Sequence, residues 1–198
     1  MVKIYFLNVS TLDTDVLASS KYISDIELSE LSKYKAKEAR EEKLASTYLK
    51  NKYIGEYRVG ERGKPLSDKM YFNVSHSHGF VALAIGEDSH IGIDIEKIRP
   101  IKEDLKKFVS SEEEFALAKD DSTFFEIWTS KEALLKAMGN GIDRRLPSVP
   151  GLPLNGMREL DGERFLSKTF HYEDYVITVT VMGEKPFEIE MIKEIVKS

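Results

Sequence analysis

The stretch Gly92–Glu96, with the sequence GIDIE, decides the fold around it because apolar and acidic residues alternate along it. An alternation with a period of two is typical of a β-strand, in which successive side chains point to opposite faces. We therefore expect the carboxylates of Asp94 and Glu96 to leave one face of a strand, while Ile93 and Ile95 pack behind them.

A second stretch, Trp128–Lys136 with the sequence WTSKEALLK, is predicted to open a helix that carries Glu132 and Lys136 one turn apart on one side. If this helix lies against the strand, Glu132 joins Asp94 and Glu96, so three carboxylates and a lysine converge. Two like charges ~4 Å apart repel by roughly 4 kcal/mol at an effective dielectric constant near 20, so the cluster needs a cation. Ligands that are all oxygen atoms suit Mg²⁺, which also binds substrate phosphates. The pattern indicates phosphate chemistry on a metal.

The composition of the chain restricts its class of function. The 198 residues, 41% hydrophobic and 32% charged, are ordinary for a globular protein of one large or two small domains. The sequence has no cysteine, which excludes disulfides, thiolate metal ligands and cysteine nucleophiles, and its net charge of −5 argues against nucleic acid as a partner. No apolar stretch approaches the ~20 residues of a membrane span, and the segment Met1–Val9 resembles a strand rather than a signal peptide. We expect a cytoplasmic protein with no membrane partner.

The order of the predicted elements indicates an α+β fold in two parts. A seam at Arg99–Pro100 would separate an N-terminal lobe, residues 1–100, from a C-terminal lobe, residues 101–198, each with helices packed on a short antiparallel sheet. A hairpin turn is predicted at Gly86–Asp88, and Gly139 is predicted to end the last helix. The predicted strands are Met1–Val9, Met70–Val74, Phe80–Ile85, Ile91–Glu96, Arg164–Phe170, Tyr175–Val181 and Phe187–Ile192; the predicted helices are Ser32–Tyr57, a short one starting with a capping box at Ser110–Glu114, and Phe124–Met138, after which a loop extends to about Gly162.

Four blocks in a fixed order connect these motifs to a known family. They are Gly63–Pro65 (GKP), Asn73–Ser77 (NVSHS), Gly92–Glu96 (GIDIE) and Trp128–Lys136 (WTSKEALLK). Together they closely resemble the Sfp-type 4′-phosphopantetheinyl transferases. The resemblance implies an enzyme that moves the phosphopantetheine arm of coenzyme A onto a serine of an apo acyl or peptidyl carrier protein and releases 3′,5′-ADP. It also implies a pseudo-dimer of two similar α/β lobes with the active site in the cleft between them, and a monomer is plausible because one chain supplies both lobes.

The resemblance assigns roles to the acidic residues. It implies that Asp94, Glu96 and Glu132 hold Mg²⁺ against the pyrophosphate of coenzyme A. Glu132, directly or through a metal-bound water, would be the base for the carrier serine, and Lys136 would pair with a phosphate of the coenzyme.

Further residues are assigned to the coenzyme by the same resemblance. Ser75 and His76 would contact its 3′-phosphate, Lys64 would hold the adenosine end, and Trp128 would form an apolar wall. Some members of the family carry lysines for the 3′-phosphate near the N-terminus, in a region where this chain has acidic side chains. These are Glu27 and Glu30, and the nearest basic residues are Lys33, Lys35, Arg40 and Lys43.

Simpler interpretations of the same residues remain open. Asp94 and Glu96 would suit the solvated face of an edge strand, and Thr129 with Glu132 matches a capping box at a helix start. Lys136 would also serve as an i+4 partner of Glu132. Two other functions are alternatives: a metal-dependent nuclease, disfavoured by the acidic net charge, and a non-catalytic module that binds coenzyme A or carrier proteins.

Overall fold

The protein has a mixed α/β fold, as the sequence predicted, in a computed structural model that describes residues 1–60, 65–139 and 146–196. The strands are β1 (Val2–Asn8), β2 (Arg58–Val59), β3 (Pro65–Leu66), β4 (Tyr71–Ser77), β5 (Phe80–Gly86), β6 (Ile91–Lys97), β7 (Gly156–Leu160), β8 (Glu163–Tyr172), β9 (Tyr175–Met182) and β10 (Ile189–Lys193). The helices are α1 (Thr14–Ala18), α2 (Asp25–Leu31), α3 (Lys37–Tyr53), α4 (Glu103–Val109), α5 (Glu112–Leu117) and α6 (Asp121–Met138).

Eight of the strands form two four-stranded sheets. The first has the order β10-β1-β5-β4, in which β1 runs parallel to β10 and antiparallel to β5. The second has the order β6-β9-β8-β7 and is antiparallel throughout. Strands β2 and β3 form a separate two-stranded ribbon. None of the helices in the described part of the chain combines the length and the apolar composition that a membrane span requires.

The two sheets pack against each other, and each is covered by one long helix on its outer side. The core between the sheets joins side chains such as Ile4 and Phe80 of the first sheet to Ile93, Ile95 and Ile177 of the second. Helix α3 packs on the other face of the first sheet and α6 on the other face of the second. Burial of an isoleucine of this kind contributes roughly 1.5–3 kcal/mol, so this inner layer fixes which face of β6 points inward.

The predicted hairpin at Gly86–Asp88 is wrong, because the strands on either side of it lie in different sheets. Strand β5 already pairs with β1 on one edge and β4 on the other, so it has no free edge for β6. The sequence contains the turn residues, but strand pairing depends on which edges remain available.

Several elements escaped prediction because they are short. Helices α1 and α2 lie in the acidic stretch after β1, where Asp13 and Ser24 cap their first turns. Strand β7 lies in the segment predicted as a loop, and α4 follows the predicted seam. The capping box at Ser111 and Glu114 is confirmed as the start of α5, and Gly139, with a φ angle of +80°, is confirmed as the C-cap of α6.

The sheets do not divide the chain at residue 100. Strand β6 precedes this position but pairs with β9 in the second sheet, and β10, near the end of the described residues, pairs with β1 in the first. The division into lobes 1–100 and 101–198 stays a prediction.

The edge strands β4 and β6 are linked by side chains rather than by a backbone ladder. Backbone amides on β6 donate to oxygen atoms of alternate side chains on β4: Ile93 N to Asn73 Oδ1 at 3.0 Å, Ile95 N to Ser75 Oγ at 3.3 Å, and Lys97 N to Ser77 Oγ at 3.3 Å. This register brings Ser75 to Asp94 and Ser77 to Glu96.

Candidate active site

Gly92 allows α6 to lie in direct contact with β6. A Cβ atom built on this residue would lie 1.9 Å from the carbonyl oxygen of Ala133 and 2.5 Å from the backbone nitrogen of Ala137. No side chain fits in this space, so the close approach requires glycine. The approach sets Glu132 and Lys136 of α6 beside Asp94, which follows Gly92 by two residues on the same face of β6.

The start of α6 decides between two interpretations of Glu132. The helix begins at Asp121 with Asp120 as its N-cap, so Thr129 lies in its third turn. The capping-box interpretation of Thr129 and Glu132 is therefore wrong, and Thr129 instead shares a hydrogen bond of 2.9 Å with Thr178 on β9. Glu132 is 4% exposed in the middle of the helix and needs another explanation.

A buried lysine holds α6 on the side away from the sheet. Lys131 is fully buried and pairs with Glu114 at 2.6 Å. Its ammonium also donates to the carbonyl oxygens of Val109 (2.9 Å) and Leu146 (2.8 Å), and Glu114 accepts a bond from the backbone nitrogen of Gly151 at 2.7 Å. A buried charge persists only when it is paired and hydrogen-bonded in this way. Lys131 therefore connects α6 to α5 through Glu114, and to the backbone at Val109 and Leu146.

A buried arginine also holds α6 in place. Arg158 on β7 donates to the backbone oxygens of Ser130 (3.0 Å) and Pro150 (2.8 Å). It also donates to the hydroxyls of Ser167 and Thr180 on the neighbouring strands. Together with the close approach at Gly92, these polar contacts fix the position of α6 against the second sheet and its rotation about its own axis.

The fold brings the predicted site residues together in one cavity of about 380 Å³, which we call the carboxylate pocket. Its lining consists of Val74, Ser75, His76, Asp94, Glu96, Trp128, Glu132 and Lys136. Lys64, the remaining residue that the sequence assigned to the site, lies outside the described residues.

Asp94 lies at the centre of this pocket and is 5% exposed, so the solvated edge-strand interpretation is wrong for it. Its Oδ1 atom accepts hydrogen bonds from Lys136 Nζ at 2.6 Å and from Ser75 Oγ at 3.0 Å. Its Oδ2 atom is buried with no hydrogen-bond partner among the described residues. Burial raises the pKa of Asp94, and the nearby Lys136 ammonium opposes this rise.

Glu132 has the clearest perturbation in the pocket. Burial, followed by the negative charge of Asp94, raises the pKa of Glu132 to about 7, against the opposing charge of Lys136. Its Oε1 atom is buried and, within the described ranges, has no hydrogen-bond partner. A carboxyl group with a pKa near neutrality exchanges a proton under physiological conditions, as a general base must.

Glu96 lies at the outer end of the pocket. Its Oε2 atom accepts hydrogen bonds from Ser77 Oγ at 2.9 Å and from Arg99 at 2.8 Å. The guanidinium of Arg99 lies 4.7 Å from the centre of the Phe125 ring on α6, so it is held between the strand and the helix. Sequence reasoning treated Arg99 only as part of a seam and missed this contact.

The donor set of the pocket fits Mg²⁺. In residues 1–60, 65–139 and 146–196, no three His, Asp or Glu side chains already converge as a metal site. Lys136 and Arg99 instead bind one oxygen each of Asp94 and Glu96. Two buried oxygens, Asp94 Oδ2 and Glu132 Oε1, lack a partner in the described structure and would both gain one from a cation. Magnesium prefers such an all-oxygen environment and completes its shell with water or phosphate.

Ser75, His76 and Trp128 all lie at the pocket but differ in their surroundings. Ser75 is buried and hydrogen-bonds to Asp94 and Lys136, whereas the side chain of His76 is half exposed at the rim. Contact of either with a 3′-phosphate stays a prediction. Trp128 lines the pocket and also packs on the core of the second sheet, with its ring 6.3 Å from that of Phe124.

A second cavity of about 690 Å³ adjoins the pocket and shares Val74 and His76 with it. We call it the lysine groove, after Lys33, Lys43 and Lys50 in its lining. The lining also includes Glu27, Glu30, Ser46, Thr47 and Tyr57.

Sequence reasoning identified Lys33 and Lys43 only as nearby basic residues and missed the groove, because its residues come from α2, α3 and later segments and none forms a local motif. A signal was nevertheless present. Lys43, Ser46, Thr47 and Lys50 follow the spacing i, i+3, i+4, i+7, which places polar side chains along one face of a helix. Such a stripe on a helix whose other face is apolar predicts a polar ligand or partner.

Lys50 is the most perturbed cation of the groove. Burial, with a contribution from the charge of Lys43, lowers the pKa of Lys50 to about 8, and Glu27 opposes this. The ammonium lies 4.9 Å from the centre of the Tyr57 ring. An anion in the groove would restore the full charge of Lys50, because it would replace part of the lost hydration.

Comparison with known proteins finds a family similarity in the part of the chain that carries most of the pocket. Residues 90–180 match the model of the 4′-phosphopantetheinyl transferase superfamily. The predicted resemblance to the Sfp-type 4′-phosphopantetheinyl transferases is confirmed. The match runs from β6 to β9, so it includes Asp94, Glu96, Glu132 and Lys136 but none of the lysines of the groove.

Curated 4′-phosphopantetheinyl transferases are similar to part of the chain. The transferase gsp of Aneurinibacillus migulanus is 39% identical over 43% of this chain and 39% of its own length. Sfp of Bacillus subtilis is 33% identical over 53% of this chain and 50% of its own. AcpT of Salmonella typhi is 35% identical over 48% of this chain and 59% of its own. The chain thus spans about half the length of the curated relatives it matches.

Proposed function

We propose that the protein transfers the 4′-phosphopantetheine arm of coenzyme A to a serine of an apo acyl or peptidyl carrier protein and releases 3′,5′-ADP. The observation that carries this proposal is the convergence of Asp94, Glu96, Glu132 and Lys136 in one pocket that opens beside a groove lined with lysines. The names of the curated relatives support the same reaction.

The lysine groove would take the adenosine 3′,5′-diphosphate part of coenzyme A. Lys33, Lys43 and Lys50 supply positive charge along it, and Tyr57 supplies an aromatic surface. His76 lies where the groove meets the pocket, so a coenzyme bound along both cavities would pass this side chain. Some members of the family have lysines for the 3′-phosphate in the region where this chain has Glu27 and Glu30. Here Lys33, Lys43 and Lys50 would take that role.

Glu132 would act as the general base. In the reaction the carrier serine oxygen forms a bond to the phosphorus that bears the pantetheine arm, and the bond from this phosphorus to 3′,5′-ADP breaks. The serine proton would pass to the Glu132 carboxylate. Lys136, which binds Asp94 in the structure, would bind a phosphate oxygen of the coenzyme.

Asp94, Glu96 and Glu132 would hold Mg²⁺. The two buried oxygens without a partner in the described residues, Asp94 Oδ2 and Glu132 Oε1, support this assignment. Bound there, the ion would neutralise charge on the pyrophosphate as the phosphoryl group is transferred.

The proposal includes the two-lobe architecture with its cleft. One long helix on the outer face of each four-stranded sheet, α3 on the first and α6 on the second, supports a repeated α/β arrangement. The expectations of a monomer and of a cytoplasmic location stay predictions.

The decisive experiment is the intact mass of a purified apo carrier protein after incubation with this protein, coenzyme A and Mg²⁺. We expect the mass to rise by one phosphopantetheine, and the gain to disappear with EDTA. Carriers of fatty-acid, polyketide and nonribosomal-peptide synthesis should all be included, because the site does not indicate which is used.

Other outcomes would favour the alternatives. Binding of coenzyme A without transfer to any of these carriers would indicate a binding module. Cleavage of DNA or RNA in Mg²⁺ would indicate a nuclease, which the net charge of −5 disfavours.

A further inference from the structure

Glu42 is a buried carboxylate on α3 that the proposed reaction does not use. The residue is 7% exposed, and its two oxygens have different partners. Oε1 accepts a hydrogen bond from the backbone nitrogen of Gly79 at 2.7 Å, and Oε2 lies 2.8 Å from His76 Nδ1. The Glu42 carboxylate is therefore in direct contact with the edge of the His76 ring that carries Nδ1.

The bond to Gly79 prevents Glu42 from changing its position. Gly79, with a φ angle of +81°, forms the turn between β4 and β5 together with His78, with a φ angle of +47°. Glu42 therefore connects α3 to the turn that immediately follows His76. With Oε1 held by Gly79, Oε2 lies against the imidazole ring and restricts its orientation, in the way that a carboxylate orients a functional histidine elsewhere.

His76 lies at the junction of the two cavities and lines both of them. With Nδ1 bound to Glu42, the ring directs Nε2 away from α3. From these contacts we infer that Glu42 is a positioning residue, which aims His76 Nε2 at the 3′-phosphate of coenzyme A. The inference rests on the proposed function for the identity of the ligand, but not on any transfer step.

Direct binding separates this role from catalysis. The affinities for coenzyme A and for 3′-dephospho-coenzyme A are measured by calorimetry with no carrier protein present. Glu42→Ala is expected to weaken binding of coenzyme A by about 5-fold, the scale of one lost and partly exposed charged contact, and to leave binding of the dephospho form nearly unchanged. In transfer assays the same variant is expected to raise KM for coenzyme A while kcat stays within about 2-fold.

Three variants control for a general loss of structure. Glu42→Gln keeps an acceptor for Gly79 and a polar contact with the ring, so it should recover part of the lost affinity. Glu41→Gln, next to Glu42 but paired with Thr14 and Lys37 outside the groove, should bind like the unmodified protein. The double variant with His76→Ala should bind no more weakly than His76→Ala alone, because Glu42 acts through this ring.

The inference is overturned if Glu42→Ala weakens both coenzymes equally, or if its effect persists in the His76→Ala background. It is also overturned if coenzyme A does not bind at all. Transfer to a carrier with no effect of Glu42 would leave the proposed function intact and reject the inference. If Glu42→Ala shows the expected selectivity for the 3′-phosphate but no carrier is modified, the inference stands and the proposed function is rejected.

Discussion

The carboxylate pocket and the lysine groove adjoin at His76 but differ in charge, burial and origin. The pocket is acidic, and its main residues come from one strand and one helix, each with a recognisable local pattern. The groove carries three lysines, which come from α3 and from the turn between α2 and α3. The three carboxylates and the lysine of the pocket lie within the family match over residues 90–180, whereas the groove lies outside it.

This difference shows which parts of such a site can be recognised from a short sequence motif. A metal pocket would need carboxylates at fixed separations. The spacing of two residues on β6 places Asp94 and Glu96 on one face, and the spacing of four residues on α6 places Glu132 beside Lys136. A site for an outer phosphate needs positive charge within reach, which lysines at many positions can provide. The proposed reaction requires both, so variants in each region should have separable effects.

The largest effect is expected from Glu132→Gln. Loss of the proton acceptor should reduce the rate of transfer by about 10²–10⁴-fold, as measured from the mass of the carrier over time. Glu126→Gln is the matched control, since Glu126 lies on the same helix but pairs with His171 at 2.6 Å outside the pocket. A Glu132→Gln rate within 2-fold of the unmodified rate at saturating Mg²⁺ would reject the mechanism.

Gly92→Ala tests whether the contact between β6 and α6 builds the pocket. The new Cβ would lie 1.9 Å from the Ala133 carbonyl oxygen, so the helix must move. We expect the free energy of unfolding in urea to fall by about 1–3 kcal/mol, with a loss of transfer activity. Gly86→Ala is the control, because its nearest neighbouring atom would be 3.6 Å away. Equal losses of stability in the two variants would contradict the role of Gly92.

The raised pKa of Glu132 predicts that Mg²⁺ binds more weakly as the pH falls. This carboxyl takes up a proton as the pH drops through about 7, and a protonated carboxyl is a poor ligand. The apparent dissociation constant from calorimetry should therefore increase by up to about 10-fold between pH 7 and pH 6. Glu132→Gln should bind Mg²⁺ weakly with little dependence on pH, and an equally steep dependence in this variant would assign the proton to another group.

A smaller effect is expected in the groove from Lys50. Its pKa of about 8 means that it is charged below this pH and loses its charge above it. Affinity for coenzyme A should therefore decline by about 5-fold between pH 7.5 and pH 9, the effect of one ion pair worth roughly 1 kcal/mol. Lys50→Arg stays charged over this range and should remove the decline. A decline that is unchanged in Lys50→Arg would show that Lys50 is not the titrating group.

Much of the fold and the pocket was predictable because the signals were periodic. The alternation in Gly92–Glu96 gave a strand with Ile93 and Ile95 inward, and both are buried between the sheets. The helix predicted over Phe124–Met138 became α6, with Glu132 and Lys136 toward the strand. The roles of these residues in the reaction stay predictions.

Where prediction failed, the missing information was about neighbours. Thr129 and Glu132 have the spacing of a capping box, but the helix starts two turns earlier because Asp120 is available as a cap. Gly86–Asp88 has the residues of a hairpin, but β4 and β1 already occupy both edges of β5. Glu42 resembles any charged residue of a helix surface until Gly79 and His76 are seen beside it.

The sequence by itself determined the local elements that carry Asp94, Glu96, Glu132 and Lys136, because strand and helix periodicities fix which side chains share a face. Only the tertiary structure decided that β5 and β6 lie in different sheets, that α6 packs directly on Gly92, and that a groove of lysines adjoins the pocket. These outcomes depend on contacts between residues far apart in the chain, where packing and the pairing of strand edges override local preference.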